Sequence, residues 1–428
     1  MRVQRCKGAR DLSPDEMARF RLIEETFRER CLRWGYQEVR TPTIEYLHLF
    51  TSAGTLTPSM LGRVYSFLDW DGWSGERVVL RPDGTIPIAR LYIDTMAGEG
   101  PARLFYVTNT FIFEETGKKT RERWQCGTEL IGVNTPASDA ELIVLALEIL
   151  NNLELKNVTL RLSHAGLIKA LLGRLGLSPE EQARVFDRIL DGDARALAGL
   201  RTDKPELDSV LFPLLSLKGR SSGFLKNLRA ISARSLPEFK PHLKSFIDVV
   251  SILENLGCKY QIDIASGAGF EYYTGIIFQL YSGREKIGGG GRYDDLIPAM
   301  GGGDIPASGF ALYIDRLMSL VEPETLKEPV RQSVLVRFKD KDNEEMKEAF
   351  GVARSLRDAG YTVELDLGNM ETANVRWVLD IRNKAPKYVL RDKVEPRVIE
   401  AKTLDEVLAI IEEKSGYQDS LTKGTSSG

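Results

Sequence analysis

The sequence predicts an α/β (α+β) protein: an antiparallel sheet flanked by helices, followed by a second, smaller α/β unit. Three observations carry that expectation. The strand candidates Arg103–Val107, Thr110–Phe113 and Trp124–Ile131 are linked through the short polar loop Glu115–Thr120, and only antiparallel neighbours are joined so briefly. Sheet-like sequence then gives way to a helical block at about 165–245 and resumes at Tyr260–Ile264, as an inserted unit would. The proline- and charge-bearing stretch Glu322–Val330 reads as a linker to a βαβ pattern. The expected organisation is a core over 1–325, a C-terminal domain over 331–414 and a tail without structure over 415–428.

In chain order, Ser13-Pro14-Asp15-Glu16 supplies a capping hydroxyl, a first-turn proline and a reciprocal Glu. Met17, Phe20, Ile23, Phe27 and Cys31 follow at helical spacing, and Gly35 is the expected stop. Pro42 interrupts pairing, the Trp70-Asp71-Gly72 turn follows, and Val78–Leu80 is the next strand. Ser138–Glu141 is expected to cap a helix reaching about Asn151, with a strand within Lys156–Leu162. Ser178-Pro179-Glu180-Glu181 repeats the capping pattern inside the helical block. Gly275–Tyr281 reads as a strand, Gly288–Gly291 as a turn or a ligand approach, and a helix is expected from near Phe310. Beyond the linker come Val334–Phe338, a helix around Glu345–Arg357, Tyr361–Leu367, a strand at Val389-Leu390 and a cap at Thr403–Glu406.

Composition narrows function. The 43% hydrophobic and 28% charged residues are those of a globular protein with ample core material. Lys plus Arg number 58 against 61 Asp plus Glu, which excludes a generally basic surface for coating nucleic acid. The four cysteines (6, 31, 126 and 258) and three histidines (48, 164 and 242) are scattered, so no metal site, disulfide framework or cofactor is expected. The N-terminal MRVQRCKGARD has no apolar leader and no run of 18 apolar residues occurs, so the expected location is cytoplasmic. No nucleophile–base pair emerges, and no catalytic residue is assigned.

Four segments carry polar chemistry. Gln125 and Glu129 lie four apart on a strand and therefore share a face, opposite to Cys126 and Thr128. That face suits a cationic or amide-bearing small molecule, and equally an exposed sheet surface. Glu271-Tyr272-Tyr273-Thr274-Gly275 can hold an ammonium or imidazole by hydrogen bonds, although tyrosines beside strands are also ordinary core. In Arg81-Pro-Asp83-Gly-Thr85, Asp83 could receive an α-amino group or pair with Arg81. Arg292, Tyr293 and Asp294 follow a glycine run that matches neither a dinucleotide fingerprint nor a P-loop.

Taken in order, Arg10–Pro14, Tyr36–Pro42, Leu80–Thr85, Glu271–Gly275, Gly288–Asp294 and Gly309–Leu317 resemble the class II histidyl-tRNA synthetase-like family. The resemblance spans about residues 5 to 320, and the C-terminal segment is more loosely similar to that family's anticodon-binding domain. It implies a six- or seven-stranded antiparallel sheet and self-association as a homodimer through the first helix and the Pro42 region. It also implies a histidine pocket at Asp83, Thr85, Gln125, Glu129, Tyr272 and Tyr273, with Arg121, Glu271 and Arg316 as a possible residual site. Catalytic members carry arginines where this chain has Ile112 and Ala268, and a glycine where it has Tyr313. Isoleucine cannot grip a phosphate or carboxylate. These departures favour the non-catalytic branch, whose members partner the short-form catalytic subunit of ATP phosphoribosyltransferase. A divergent histidine–tRNA ligase, with tRNA as partner, and a synthetase-like scaffold are the other readings.

Overall fold

The computed structural model describes residues 4–53, 61–70, 75–113, 120–173, 178, 181, 218–232, 236–264, 272–322, 333–338, 343–368 and 375–422. The chain divides into two compact units, Met1–Leu326 and Lys327–Gly428.

In the first unit the described elements are α1 (Pro14–Arg33), β1 (Gln37–Glu38), β2 (Ile44–Tyr46), α2 (Leu47–Ser52), β3 (Ser66–Trp70), β4 (Gly75–Leu80), α3 (Thr85–Thr95), β5 (Ala102–Phe111) and β6 (Glu122–Ile131). They continue with α4 (Pro136–Asn152), β7 (Val158–His164), α5 (Ala165–Gly173), β8 (Lys218–Gly219), α6 (Ser222–Ser232), α7 (Phe239–Asn255), β9 (Gln261–Asp263), β10 (Ile276–Ser282), β11 (Glu285–Arg292), α8 (Leu296–Ala299), β12 (Ala307–Tyr313) and α9 (Ile314–Leu317).

A nine-stranded sheet runs in the order β1-β5-β6-β12-β11-β10-β7-β9-β8. Its middle, from β5 to β7, is antiparallel throughout, while β1 joins β5 and β9 joins β7 in parallel. The expected six or seven strands are thus extended by short pieces at the edges. A separate three-stranded sheet, β2-β4-β3, stands beside it.

The first helix forms as its sequence dictates. Ser13 accepts from the Glu16 amide while Glu16 accepts from the Ser13 amide, Pro14 opens the first turn, and Gly35 follows the end at φ +79°. Phe20, Ile23, Phe27 and Cys31 are buried against the sheet, with Phe27 edge-on to Phe105 and Phe310. Complete burial of one such side chain contributes about 1.5–3 kcal/mol. The buried face of α4 (Leu142, Ile143, Leu145, Ala146 and Ile149) adds to the same core.

Several expectations are corrected. Helix α4 begins at Pro136 and is capped by Thr135, with Ser138 in the third position; Thr135-Pro136 offers the same capping chemistry three residues earlier. Gly288–Gly291 is neither a turn nor a loop but the middle of β11, paired on both sides. Phe310–Tyr313 is strand rather than helix, because pairing with β6 and β11 decides an apolar run too short for periodicity to settle. The Ser178–Glu181 bonds form as expected, but most of the helical block between α5 and β8 lies outside the described residues.

The second unit contains β13 (Ser333–Arg337), α10 (Asn343–Asp358), β14 (Thr362–Leu365), β15 (Trp377–Ile381), β16 (Tyr388–Asp392), β17 (Arg397–Ala401) and α11 (Leu404–Thr422). Its sheet order is β14-β13-β15-β16-β17, parallel from β14 to β15 and antiparallel beyond. The expected tail after Lys414 is helical through Thr422. One Ser-Gly step costs about 1 kcal/mol relative to alanine. That is too little to end a helix anchored by buried Val407 and Ile411.

Candidate functional site

The site is built on the face of the large sheet turned away from α1. Strand alternation brings Gln125, Gly127 and Glu129 of β6 to this face, opposite Tyr313, Ala311 and Gly309 of β12. Next to them lie Gly289 and Gly291 of β11. These glycines are required by close approach. A Cβ on Gly291 would meet the Ile276 carbonyl and stand 3.0 Å from the Tyr273 ring, and one on Gly127 would meet the Tyr106 hydroxyl at 2.5 Å. A row of side-chain-free positions hollows the middle of the sheet, which is why the glycine run belongs to a strand.

The resulting cavity is about 50 Å³. Asp83, Thr85, Gln125, Tyr272, Tyr273 and Tyr313 line it. Glu129, at 1% exposure, lies behind Thr85, whose hydroxyl donates to its Oε1 at 2.8 Å, and the Tyr293 hydroxyl donates to its Oε2. Asp83 sits in the turn before α3 and accepts from the Ile86 amide at 2.9 Å. Gln125 Nε2 donates to the Tyr106 hydroxyl at 3.3 Å.

Electrostatically the site is a pair of buried carboxylic acids beside a phenol-lined cavity. Burial pushes Glu129 up to about 8, against the opposing hydrogen bonds from Tyr293 and Thr85, and nearby Asp83 raises it further. Burial likewise raises Asp83 to about 6, although the amides of Ile86, Thr85 and Gly84 favour its ionised form. Tyr106, Tyr272, Tyr273 and Tyr293 are held well above the ordinary phenol value, chiefly by burial. Such a pocket favours a cationic or hydrogen-bond-donating guest, which would stabilise the carboxylates in their charged form.

Of the six residues expected to share a pocket, Asp83, Thr85, Gln125, Tyr272 and Tyr273 line the cavity, and Glu129 is bonded to Thr85 behind it. The residual set is not with them. Arg121 lies over the Phe113 ring at 4.5 Å, Arg316 pairs with Glu285 at 2.6 Å, and neither lines the cavity. Glu271 and Ala268 lie outside the described residues. Ile112 follows β5, its amide donating to the Arg121 carbonyl at 2.8 Å.

Two other expectations resolve differently. Arg81 does not pair with Asp83; it donates to Asn109 Oδ1 and to the carbonyls of Asn109, Thr41 and Pro42, the acceptors nearest its buried guanidinium. Arg292 is structural rather than ligand-facing, bonded to Asp139 at 2.7 Å, to Asp294 and to Ser138. Sequence reasoning missed Tyr106 and Lys286. Tyr106 was marked only by Gly127, the unexplained glycine directly opposite it in the register.

The histidyl-tRNA synthetase family model matches residues 8–317. An ATP phosphoribosyltransferase regulatory subunit of Dehalococcoides mccartyi is 51% identical over 96% of this chain and 98% of that protein. A histidine–tRNA ligase of Methanocaldococcus jannaschii is 34% identical over 85% of this chain and 86% of that one. Among solved structures, an ATP phosphoribosyltransferase regulatory subunit/histidyl-tRNA synthetase from Bacillus halodurans superposes with a TM-score of 0.76. It shares 26% identity, covering 90% of this chain and all of that one.

Proposed function

The chain belongs to the histidyl-tRNA synthetase family, and from that premise we propose that it is a non-catalytic regulatory subunit of ATP phosphoribosyltransferase. It would support the first step of histidine biosynthesis and its feedback control by histidine. The near full-length match at 51% identity to a regulatory subunit, against 34% to a ligase, carries this reading. The retained chemistry agrees with it. The cavity keeps a carboxylate, an amide and phenols for an amino acid, while Ile112 stands where the resemblance to catalytic family members implies an arginine.

In this reading free histidine occupies the cavity. Its cationic groups meet Asp83 and Glu129, its ring is fixed by Tyr272 and Tyr273, and Gln125 offers both a donor and an acceptor. The partners are the short-form catalytic subunit and a second copy of this chain. The apolar side chains Ile44, Tyr46, Leu68 and Trp70, all exposed on the small sheet that follows Pro42, support self-association there. No described helix is long and apolar enough to cross a membrane. We place the protein in the cytoplasm.

One preparation tests the function. Purified protein is assayed for histidine-dependent ATP–pyrophosphate exchange, and then mixed with a short-form catalytic subunit. Activation of that subunit without exchange is the expected result. Exchange by the unaltered chain would establish the ligase reading instead.

A further inference from the structure

Lys286 is the only cationic side chain among the described residues lining the cavity. Its position there depends on an irregularity in the sheet. From Ile277↔Gly291 to Leu280↔Gly288, β10 and β11 keep register, but Tyr281 then pairs with Lys286, leaving Ile287 as an extra residue. With strict alternation Lys286 would share a face with Gly288, away from the cavity. The bulge shifts it to the cavity face, and Ile287 is buried completely in the core. The Lys286 stem then runs over Gly289, where a Cβ would stand 3.5 Å from Cε.

The charges in the cavity are consequently separated. Asp83 lines the cavity, with Glu129 behind Thr85, and Lys286 lines it over Gly289. The Gly289–Ala311–Gly127 row lies two residues along the strands from the Gly291–Gly309–Glu129 row, about 7 Å. A ligand suited to a cavity lined by Asp83 and Lys286 carries one cationic and one anionic group. A single ammonium is a point charge that suits one carboxylate; a polyphosphate would need several donors.

We propose that Lys286 binds the α-carboxylate of the amino acid in this cavity. The proposal rests on the cavity being an amino-acid receptor. It adds a residue outside the family motifs, delivered by a bulge.

The test measures equilibrium binding to the full-length chain of histidine and of histidinol, in which a hydroxymethyl group replaces the carboxylate. A charge-assisted contact is expected to make histidine bind about tenfold or more tighter than histidinol. Lys286→Met should bring the two within about twofold by weakening histidine alone, and Lys286→Arg should retain the preference. Circular dichroism verifies folding of each variant. Wild-type protein with no preference for histidine over histidinol overturns the proposal without any variant, as does a folded Lys286→Met protein that keeps the wild-type preference. Wild-type protein that binds neither compound overturns the receptor reading itself, and the Lys286 assignment with it.

Discussion

Glu129 and Gly309 face each other across β6 and β12, and a Cβ on Gly309 would overlap the Glu129 carboxylate. The carboxylate occupies the space that any other residue at 309 would fill. Gly309→Ala should therefore push Glu129 off Thr85 and Tyr293 and destabilise the fold by about 1–3 kcal/mol, the usual range for overpacking. Urea unfolding measures the stability loss, and calorimetry should show histidine binding weakened in the same variant. A variant as stable as wild type would mean that the β6–β12 pairing yields more readily than its register implies.

The Arg292–Asp139 pair ties the end of β11 to the first turn of α4 at 2.7 Å, with both side chains buried. Ser138, the Val133 carbonyl and Asp294 satisfy the other guanidinium donors. Removing one partner strands the other charge, so Arg292→Met is expected to cost about 3–5 kcal/mol. Asp139→Asn should cost less, since an amide oxygen still accepts from Arg292. Denaturant midpoints for the two variants give the comparison; equal and small losses would contradict a tightly coupled pair.

The buried carboxylates set an alkaline limb of stability. Glu129 rises from an ordinary 4.5 to about 8 on folding, so the folded state holds its proton more tightly. Its contribution is present below pH 4.5 and is lost as pH climbs through 8. Asp83, raised from 3.8 to about 6, acts in the same direction over its own window. His164 works oppositely: burial, and to a lesser degree His242, lowers it from 6.5 to about 3, so its contribution is lost as pH falls below 6.5. Thermal unfolding of the ligand-free chain should decline from about pH 6.5 to 8, and Glu129→Gln should flatten that decline. The same variant should weaken histidine binding, because a neutral amide replaces the charge that meets the cationic guest. An unchanged alkaline limb in Glu129→Gln would show that Glu129 is not its source.

The legibility of this molecule follows the range of the interactions involved. Helix α1 was readable to its ends because Ser13, Pro14, Glu16 and Gly35 act within one turn of themselves. Gln125 and Glu129 were placed on one face by period-two alternation, a local property. Motif order then joined them to Asp83, Thr85 and the Tyr272-Tyr273 pair, which no local pattern could have done. The misread elements depend on distant partners. Gly288–Gly291 becomes strand only because β10 and β12 pair on either side, and the same pairing turns Phe310–Tyr313 from helix into strand. Lys286 was invisible because a single extra residue, Ile287, decides which face it occupies.

The remaining prediction concerns the lost guanidinium. Ile112→Arg supplies one donor group at the position where the resemblance to catalytic family members implies an arginine that grips phosphate and carboxylate. It does not restore the second arginine position, held by Ala268, and it leaves Tyr313 lining the cavity. A transition state deprived of one such donor loses about 3–4 kcal/mol of stabilisation, and here a second donor is missing as well. Ile112→Arg alone should therefore show no histidine-dependent pyrophosphate exchange, and the triple change with Ala268→Arg and Tyr313→Gly is the minimum expected to reveal any. Exchange is measured with the full-length chain in both backgrounds. Robust exchange from the single substitution would show that Ala268 and Tyr313 are no obstacle, and that one side chain separates this protein from a ligase.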